Sequence, residues 1–345
     1  MISPLPPSFI VQAGGRKTSV IFSETSQALV RAPEDALLVF DTHTRPLFAV
    51  SSTPRCLILP PGEGEKNFDS LKKILSAAVA SGCSRDSVFY GVGGGVVGDM
   101  TAFAASIYMR GCAVRLVPTT LLAMVDASLG GKTGVDFEGY KNMAGSFHPA
   151  EELIICPDAL KTLPDREFLS GMAEVIKHAL LEPSLWLERL EKEREGILAR
   201  DMAVLPGMIR DSLMVKARVV EEDFTEQGVR AHLNLGHTFG HALEKVSGFT
   251  GWSHGEGVAW GMVQALKAGV LMGITSRTYA DRVEGLLKSY GFRTGSSGYS
   301  PDLLLDAMGK DKKKRSGAVR FVLQRGWGET LQDEVPEEIL RRVLS

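Results

Sequence analysis

The first half of the chain alternates short apolar runs with stretches of helical periodicity, and this alternation leaves few architectures open. The runs are SVIF (19–22), LLVF (37–40), RCLILP (55–60), SVFYGV (87–92), AVRLVP (113–118) and ELIICP (152–157). Several are apolar almost throughout, the pattern of strands covered on both faces rather than on one. Between them, 66–81 places Phe68, Leu71, Ile74, Leu75 and Val79 at helical spacing, and 98–109 is a second helical segment. Strand–helix alternation of this kind predicts an α/β domain with a largely parallel sheet. After Pro164 the strands give way to long periodic segments. The stretch 182–220 holds two or three helices, with Pro206 marking a break or a first turn. LNLGHTFGHALEKV and GEGVAWGMVQALKAGVLMGI are two more. GAVRFVL, from Gly317, reads as a late hairpin arm or edge strand, and EVPEEILRRVL as a short closing helix. The expected domains are 1–164, α/β, and 165–345, mostly helical.

A chain of 345 residues with 44% hydrophobic and 23% charged residues has the make-up of an ordinary globular protein. A formal net charge of −2 gives no electrostatic grip on nucleic acid or an anionic membrane. The N-terminal segment lacks the basic start and apolar core of a signal peptide, and no apolar run reaches membrane-spanning length. Cys56, Cys83, Cys112 and Cys156 form no tight cluster and read as small buried apolar residues. A reducing, cytoplasmic location is expected.

GVGGGVVGDM, 91–100, follows a strand and opens a helix. Glycines permit close backbone approach, and a helix N-terminus offers unpaired N–H groups to a phosphate. The same run also reads as a tight packing turn, because it lacks the full dinucleotide fingerprint. Asp41, Glu63, Lys66, Thr119 and Thr120 lie at or just beyond strand ends, where open parallel sheets bind ligands.

In the second half, RAHLNLGHTFGH puts Arg230, Asn234, His237 and His241 at spacings of four, three and four, which predicts one helix face. Gly236 and Gly240 thin the adjoining surface, so something can approach closely. His254 lies in WSHGEG, and Glu174 in GMAEVIKHAL with Lys177 and His178 following. A catalytic zinc takes three N/O ligands and leaves one position open. Glu174, His237 and His254 would supply that set, with His241 either a fourth ligand or a substrate contact. The motif is not HExxH, since Thr238 follows His237.

The segment 109–149 carries Arg110, Asp126, Lys132, Lys141 and Asn142. GGKTG lacks the earlier glycine that the P-loop pattern requires. Lys132 between glycines still suits a small phosphate, and Lys216, Arg230 and Lys312–Lys314 add cations. Together they point to an anionic substrate.

Taken in order, GGGVVGD, PTTLLAMVDASLGGKTGV, KN at Lys141, GMAEVIKHALL, RAHLNLGHTFGHALE and HGEGVAWGM resemble the 3-dehydroquinate synthase family of the sugar-phosphate cyclases, over nearly the whole chain. The resemblance implies a Rossmann-like α/β nucleotide-binding domain followed by a mostly helical metal-binding domain. It implies Glu174, His237 and His254 as ligands of zinc or cobalt. For NAD it implies Asp41, the loop Pro61, Gly62, Glu63, Gly64, Glu65 and Lys66, the turn Gly94, Gly95, Val96, Val97, Gly98 and Asp99, then Thr119, Thr120, Lys132 and Lys141, and finally Ala159, Leu160, Lys161 and Thr162. Around substrate it implies Asp126, Lys132, Asn142, Lys177, Lys216, Arg230, Asn234, His241 and one or both of Lys312 and Lys313. An Arg at the position of Arg110 would reach the phosphate across a homodimer interface. The implied reaction starts from 3-deoxy-D-arabino-heptulosonate 7-phosphate: NAD oxidises C5, phosphate leaves by elimination, the hydride returns, and ring opening with aldol closure gives 3-dehydroquinate. Ala127 and Asp136 stand where the family has Ser and Asn, and Pro149 comes early. A cyclase of sedoheptulose 7-phosphate or glucose 6-phosphate is the alternative; keeping Lys216, Arg230, Asn234 and the Asp311–Lys313 stretch favours a carboxylate-bearing substrate.

Overall fold

The computed structural model describes residues 5–50, 55–182, 186–248, 251–312 and 319–345, with the side chains of 310–312 outside that description. The chain divides into two compact units: Met1–Phe168 with Arg200–Phe224, and Leu169–Ala199 with Thr225–Ser345. This differs from a single division after 164, because one helix of the later half returns to the first unit.

The first unit is built on a seven-stranded sheet. Its strands are β1 (Phe9–Ala13), β2 (Arg16–Phe22), β3 (Leu37–Asp41), β4 (Cys56–Leu59), β5 (Val88–Gly93), β6 (Ala113–Pro118) and β9 (Glu152–Ile155), in the order β1-β2-β9-β6-β5-β3-β4. β1 pairs antiparallel with β2, and every other neighbour is parallel. All six apolar runs of the sequence are strands of this sheet. Every residue of β3 and β5 is buried, which is why neither run alternates. β4 lies at the edge, so its residues are partly open and Cys56 is exposed, unlike the buried Cys83, Cys112 and Cys156. Two features are not visible in the apolar pattern: β1, and the hairpin of β7 (Lys132–Phe137) with β8 (Tyr140–Phe147). Most of β8 is exposed, so it carries no apolar signature.

Helix α1 (Phe68–Ala80) starts at Asn67, whose side chain accepts from Ser70 N, and buries Leu71, Ile74 and Ala78. Helix α2 (Gly95–Ile107) packs on β5, β6 and β7. The returning helix is α6 (Leu205–Glu222), with Pro206 in its first turn, where a missing N–H costs nothing. It packs on β1, whose Gln12 N donates to Glu221 Oε1 at 2.8 Å.

The second unit is helical around one hairpin. It contains most of α3 (Asp165–Leu181), then α4 (Trp186–Lys192), α5 (Arg194–Leu198), α7 (His237–Val246), α8 (His254–Leu271), α9 (Arg277–Ser289), α10 (Pro301–Lys312) and α11 (Glu337–Leu344). The hairpin is β10 (Arg320–Gly326) with β11 (Glu329–Glu334), and it follows the late β-like run of the sequence. Gln324 Nε2 donates to Leu180 O at 2.8 Å and Trp327 Nε1 to Ala179 O at 2.7 Å, which ties the hairpin to the end of α3. Helix α8 is buried along most of its length, Trp260 among its fully buried side chains. No described helix is long and apolar enough to cross a membrane.

Candidate active site

In the first unit, β5 ends at Gly93 and α2 begins two residues later. A Cβ on Gly93 would meet the Val97 side chain at 2.7 Å, and one on Gly94 would lie 3.1 Å from Thr120 Cγ2. The packing of this turn therefore requires glycine. Gly94 is the N-cap and has no side chain to cap the helix, so the first N–H groups of a 13-residue helix are left for another acceptor. That is the geometry of an anion site. Around it, Asp41 ends β3 with Oδ1 accepting from His43 N and Thr44 N at 2.9 and 2.8 Å, and Thr119 N donates to Gly93 O at 2.9 Å. The run Pro61–Glu65 makes an exposed turn, with Gly62 at φ +107°.

Lys66 is 6% exposed, and its ammonium donates to Asp99 Oδ2 of α2 at 2.6 Å and to Asn142 Oδ1 of β8. Burial is the strongest single influence and would lower its pKa, but the charge and hydrogen bond of Asp99, with the charges of Glu63 and Asp136, together raise it. Asp99 is itself pushed up by burial, against the pull of Lys66. Asn142 sits at φ +53°, and its N–H donates to Asp136 Oδ1 at 2.7 Å. Asp136 thus has a local task, as acceptor for a strained residue that contacts Lys66. Lys132 opens β7 and lines a small cavity with Gly95, Gly98, Asp99, Ala127 and His148. Lys141 is exposed on β8. Lys216 is buried on α6 and donates to Asp126 Oδ1 at 2.8 Å and to the Asp126 carbonyl. Ala159, Leu160, Lys161 and Thr162 form a turn after β9, the first two buried and the last two exposed. Arg110 is exposed in left-handed backbone at φ +67°, directly after Met109 at +47°.

The second unit assembles three side chains from three helices. Helix α8 opens at Ser253 with a reciprocal cap: its hydroxyl accepts from Glu256 N, and Glu256 Oε2 accepts from Ser253 N at 2.7 Å. This fixes His254 as the first residue of the helix. Gly255 N donates to Ser170 Oγ at 3.0 Å, and a Cβ on Gly255 would lie 2.3 Å from the Ser170 backbone. The start of α8 therefore rests on α3 one turn before Glu174. Helices α7 and α8 cross at equally close range. A Cβ on Gly261 would lie 2.0 Å from Gly236 O, and one on Gly240 2.8 Å from the Gly257 backbone. The thin surface read from Gly236 and Gly240 is filled by the glycine face of α8, and the crossing carries His237 to His254, with ring centroids 5.4 Å apart.

Glu174 is fully buried, and neither carboxylate oxygen accepts a hydrogen bond of good geometry, although Lys177 forms an ion pair with it. His254 Nε2 and His237 Nε2 lie 3.5 and 3.6 Å from Glu174 Oε1. His237 Nδ1 faces the Leu235 carbonyl at 3.3 Å, and His254 Nδ1 faces Glu244 Oε1 at 2.9 Å. Each acceptor calls for a proton on Nδ1, leaving Nε2 of the neutral ring as a lone-pair donor toward Glu174. One carboxylate and two imidazole lone pairs, all within 4.8 Å, fit a divalent cation with an open position. Burial and the Lys177 charge lower His237 to about 3. Burial would also lower His254, but hydrogen bonds and charge from Glu174 and Glu244 outweigh it and push it up to about 10. Glu174 is held well below its usual range by Lys177 and the two histidines, against the effect of burial.

The single helical face expected for Arg230, Asn234, His237 and His241 is not what forms. Arg230 and Asn234 lie in a separate short turn, Val229–Asn234, and α7 starts at His237. The break is Gly236 at φ +82°, where any side chain would also strike Val258 O. Arg230 is 2% exposed, and Asn234 Nδ2 donates to Glu226 Oε1 at 2.7 Å. His241 is exposed, with its ring edge-to-face on His237 at 5.3 Å. Lys312 ends α10, and Lys313 lies outside the described residues. Glu244 was not singled out by sequence, yet it is i+7 from His237 and so on the same helix face.

Comparison with known proteins covers both halves. Residues 56–170 match the model of the 3-dehydroquinate synthase N-terminal region, and 171–314 that of its C-terminal region. The 3-dehydroquinate synthase of Nitrosospira multiformis is 43% identical over 290 residues, 84% of this chain and 79% of that protein. That of Hydrogenovibrio crunogenus is 42% identical over 317 residues, 89% and 88% of the two chains. Among solved structures, 2-deoxy-scyllo-inosose synthase complexed with carbaglucose-6-phosphate, NAD+ and Co2+ superposes with a TM-score of 0.87 at 23% identity, covering 98% of this chain and 99% of that one. On these matches the chain belongs to the 3-dehydroquinate synthase family.

Proposed function

We propose that the chain converts 3-deoxy-D-arabino-heptulosonate 7-phosphate to 3-dehydroquinate and phosphate, with NAD and one zinc or cobalt ion per subunit. The observation that carries the metal assignment is the buried Glu174 carboxylate faced by two imidazole nitrogens at 3.5–3.6 Å. The NAD+ and Co2+ of the solved relative support the pairing of cofactors. When bound, NAD supplies a transient hydride acceptor and the ion a Lewis acid.

The residues of the chain then have the following tasks. In the first unit, the Gly94–Asp99 turn receives the NAD pyrophosphate on the N–H groups of α2, and Asp41 with the Pro61–Lys66 loop and the residues at 119–120, 141 and 159–162 hold the rest of the nucleotide. Lys132 and Asn142 bind the substrate phosphate, and Lys216 its carboxylate, with Asp126 fixing the ammonium. In the second unit, Glu174, His237 and His254 hold the ion, and Lys177 offsets the carboxylate charge. Arg230 binds the substrate carboxylate and Asn234 a hydroxyl, while His241 and a lysine of the 312–313 pair bind phosphate. Fixed cations of this kind stabilise the departing phosphate without reorganising. Arg110 sits on an exposed turn with Ile107 and Met109, 46% and 52% exposed, and we assign this turn to contact with a second copy of the chain, in the cytoplasm.

The test is direct. The purified protein with NAD and Zn2+ or Co2+ is given the heptulosonate phosphate, sedoheptulose 7-phosphate or glucose 6-phosphate, and released phosphate is measured. Release with the first alone, together with 3-dehydroquinate, is the expected outcome. Turnover of either sugar phosphate without turnover of the first would sink the assignment.

A further inference from the structure

We infer that Glu244 is a positioning residue for the metal centre: its carboxylate fixes the ring and tautomer of His254 so that Nε2, not Nδ1, faces Glu174 and His237. The inference rests on the metal reading of those three residues and adds a fourth residue to it.

The geometry is specific. Glu244 is 3% exposed on α7, and its Oε1 lies 2.9 Å from His254 Nδ1. A carboxylate can only accept, so Nδ1 must donate, and in the neutral ring the lone pair is then on Nε2. That atom is the one 3.5 Å from Glu174 Oε1. The His254 side chain is 29% exposed, so packing alone leaves the ring room to turn, and a directional bond is needed to hold it. The carboxylate lies against Gly257, where a Cβ would come within 3.5 Å of Oε1. A helix crossing lined by glycines is otherwise best filled by an apolar side chain, because a buried carboxylate carries a desolvation cost. The same carboxylate, with His241 and His254, forms a second group of ligand-type atoms within 4.8 Å. Imidazole ligands commonly donate their second N–H to a carboxylate, and loss of that partner weakens metal binding by about 10–100-fold.

The experiment measures Zn2+ affinity of the metal-free protein by competition with a chromophoric chelator, and the visible spectrum of the Co2+ form. Glu244→Ala is expected to lower affinity by about 10–100-fold and to shift the Co2+ bands. Glu244→Gln keeps an oxygen that accepts from Nδ1–H and is expected to stay within about tenfold of the unaltered protein. Unchanged affinity and spectrum in the Ala variant, or equal losses in Ala and Gln, would overturn the inference while leaving the metal reading intact. If the Ala variant fails to fold, the Gln and Asp variants decide. Asp withdraws the acceptor by one methylene and is expected to bind at least about tenfold more weakly than Gln; equal affinities overturn the inference. An unaltered protein that binds no divalent ion overturns both readings.

Discussion

Replacing Gly261 by alanine tests whether the metal centre depends on backbone contact between α7 and α8. The added Cβ would lie 2.0 Å from Gly236 O, a backbone atom that cannot turn aside. An ordinary carbon–oxygen contact needs about 3.4 Å, so the helices must separate by about 1.4 Å at this point. Overpacking of this kind costs about 1–3 kcal/mol. The same movement draws His254 away from His237, and metal–ligand distances tolerate only about ±0.2 Å. Denaturant unfolding of the metal-free protein should therefore show about 1–3 kcal/mol of lost stability, and Zn2+ competition at least about a tenfold loss of affinity. The control is Gly285→Ala on α9, an exposed helix position where a Cβ meets nothing within 4 Å. It should stabilise by about 0.5–1 kcal/mol through reduced chain entropy and leave the ion untouched. A Gly261→Ala protein with unaltered stability and affinity would refute the close-crossing argument.

Other consequences follow from single contacts. His254 is held protonated up to about 10 in the ion-free protein while His237 falls to about 3, so near neutrality ion binding must expel the His254 proton. Affinity should therefore rise with pH, about tenfold per unit from pH 6.5 to 8.5; a flat competition profile over that range would contradict it. Lys66→Ala removes the partner of both Asp99 and Asn142 and should weaken NAD binding by at least about tenfold in calorimetry. Lys73→Ala should change NAD binding little, since Lys73 is 52% exposed and only 3.6 Å from Glu65. Asp136→Ala should cost about 1 kcal/mol in denaturant unfolding by removing the acceptor for Asn142 N–H, whereas Asp136→Asn keeps an oxygen there and should cost much less.

The sheet was legible because strands buried on both faces read as continuous apolar runs, as Val88–Gly93 does. β8 was not, because a mostly exposed strand has no such run. The unit membership of α6 is a tertiary matter: its periodicity matches the helices around it, and contacts such as its packing on β1 and the Lys216–Asp126 pair place it in the first unit. The spacing of Arg230, Asn234, His237 and His241 fits a helix, yet Gly236 is a helix breaker whose positive φ splits the group. Weighting that glycine more heavily would have separated Arg230 and Asn234 from the imidazoles. Glu244 could have been reached by extending the face of His237 and His241 one more turn. The His254 partnership could not, because it depends on how closely the glycines let two helices cross.

The central claim is that the enzyme takes a hydride and returns it within one turnover. The most direct measurement follows absorbance at 340 nm and released phosphate together, with the heptulosonate phosphate, metal and a stoichiometric amount of NAD. Phosphate should appear over many turnovers while no NADH accumulates, and omission of metal should stop it. Accumulation of NADH in step with substrate consumption, without phosphate, would contradict the account and mark the chain as a simple dehydrogenase.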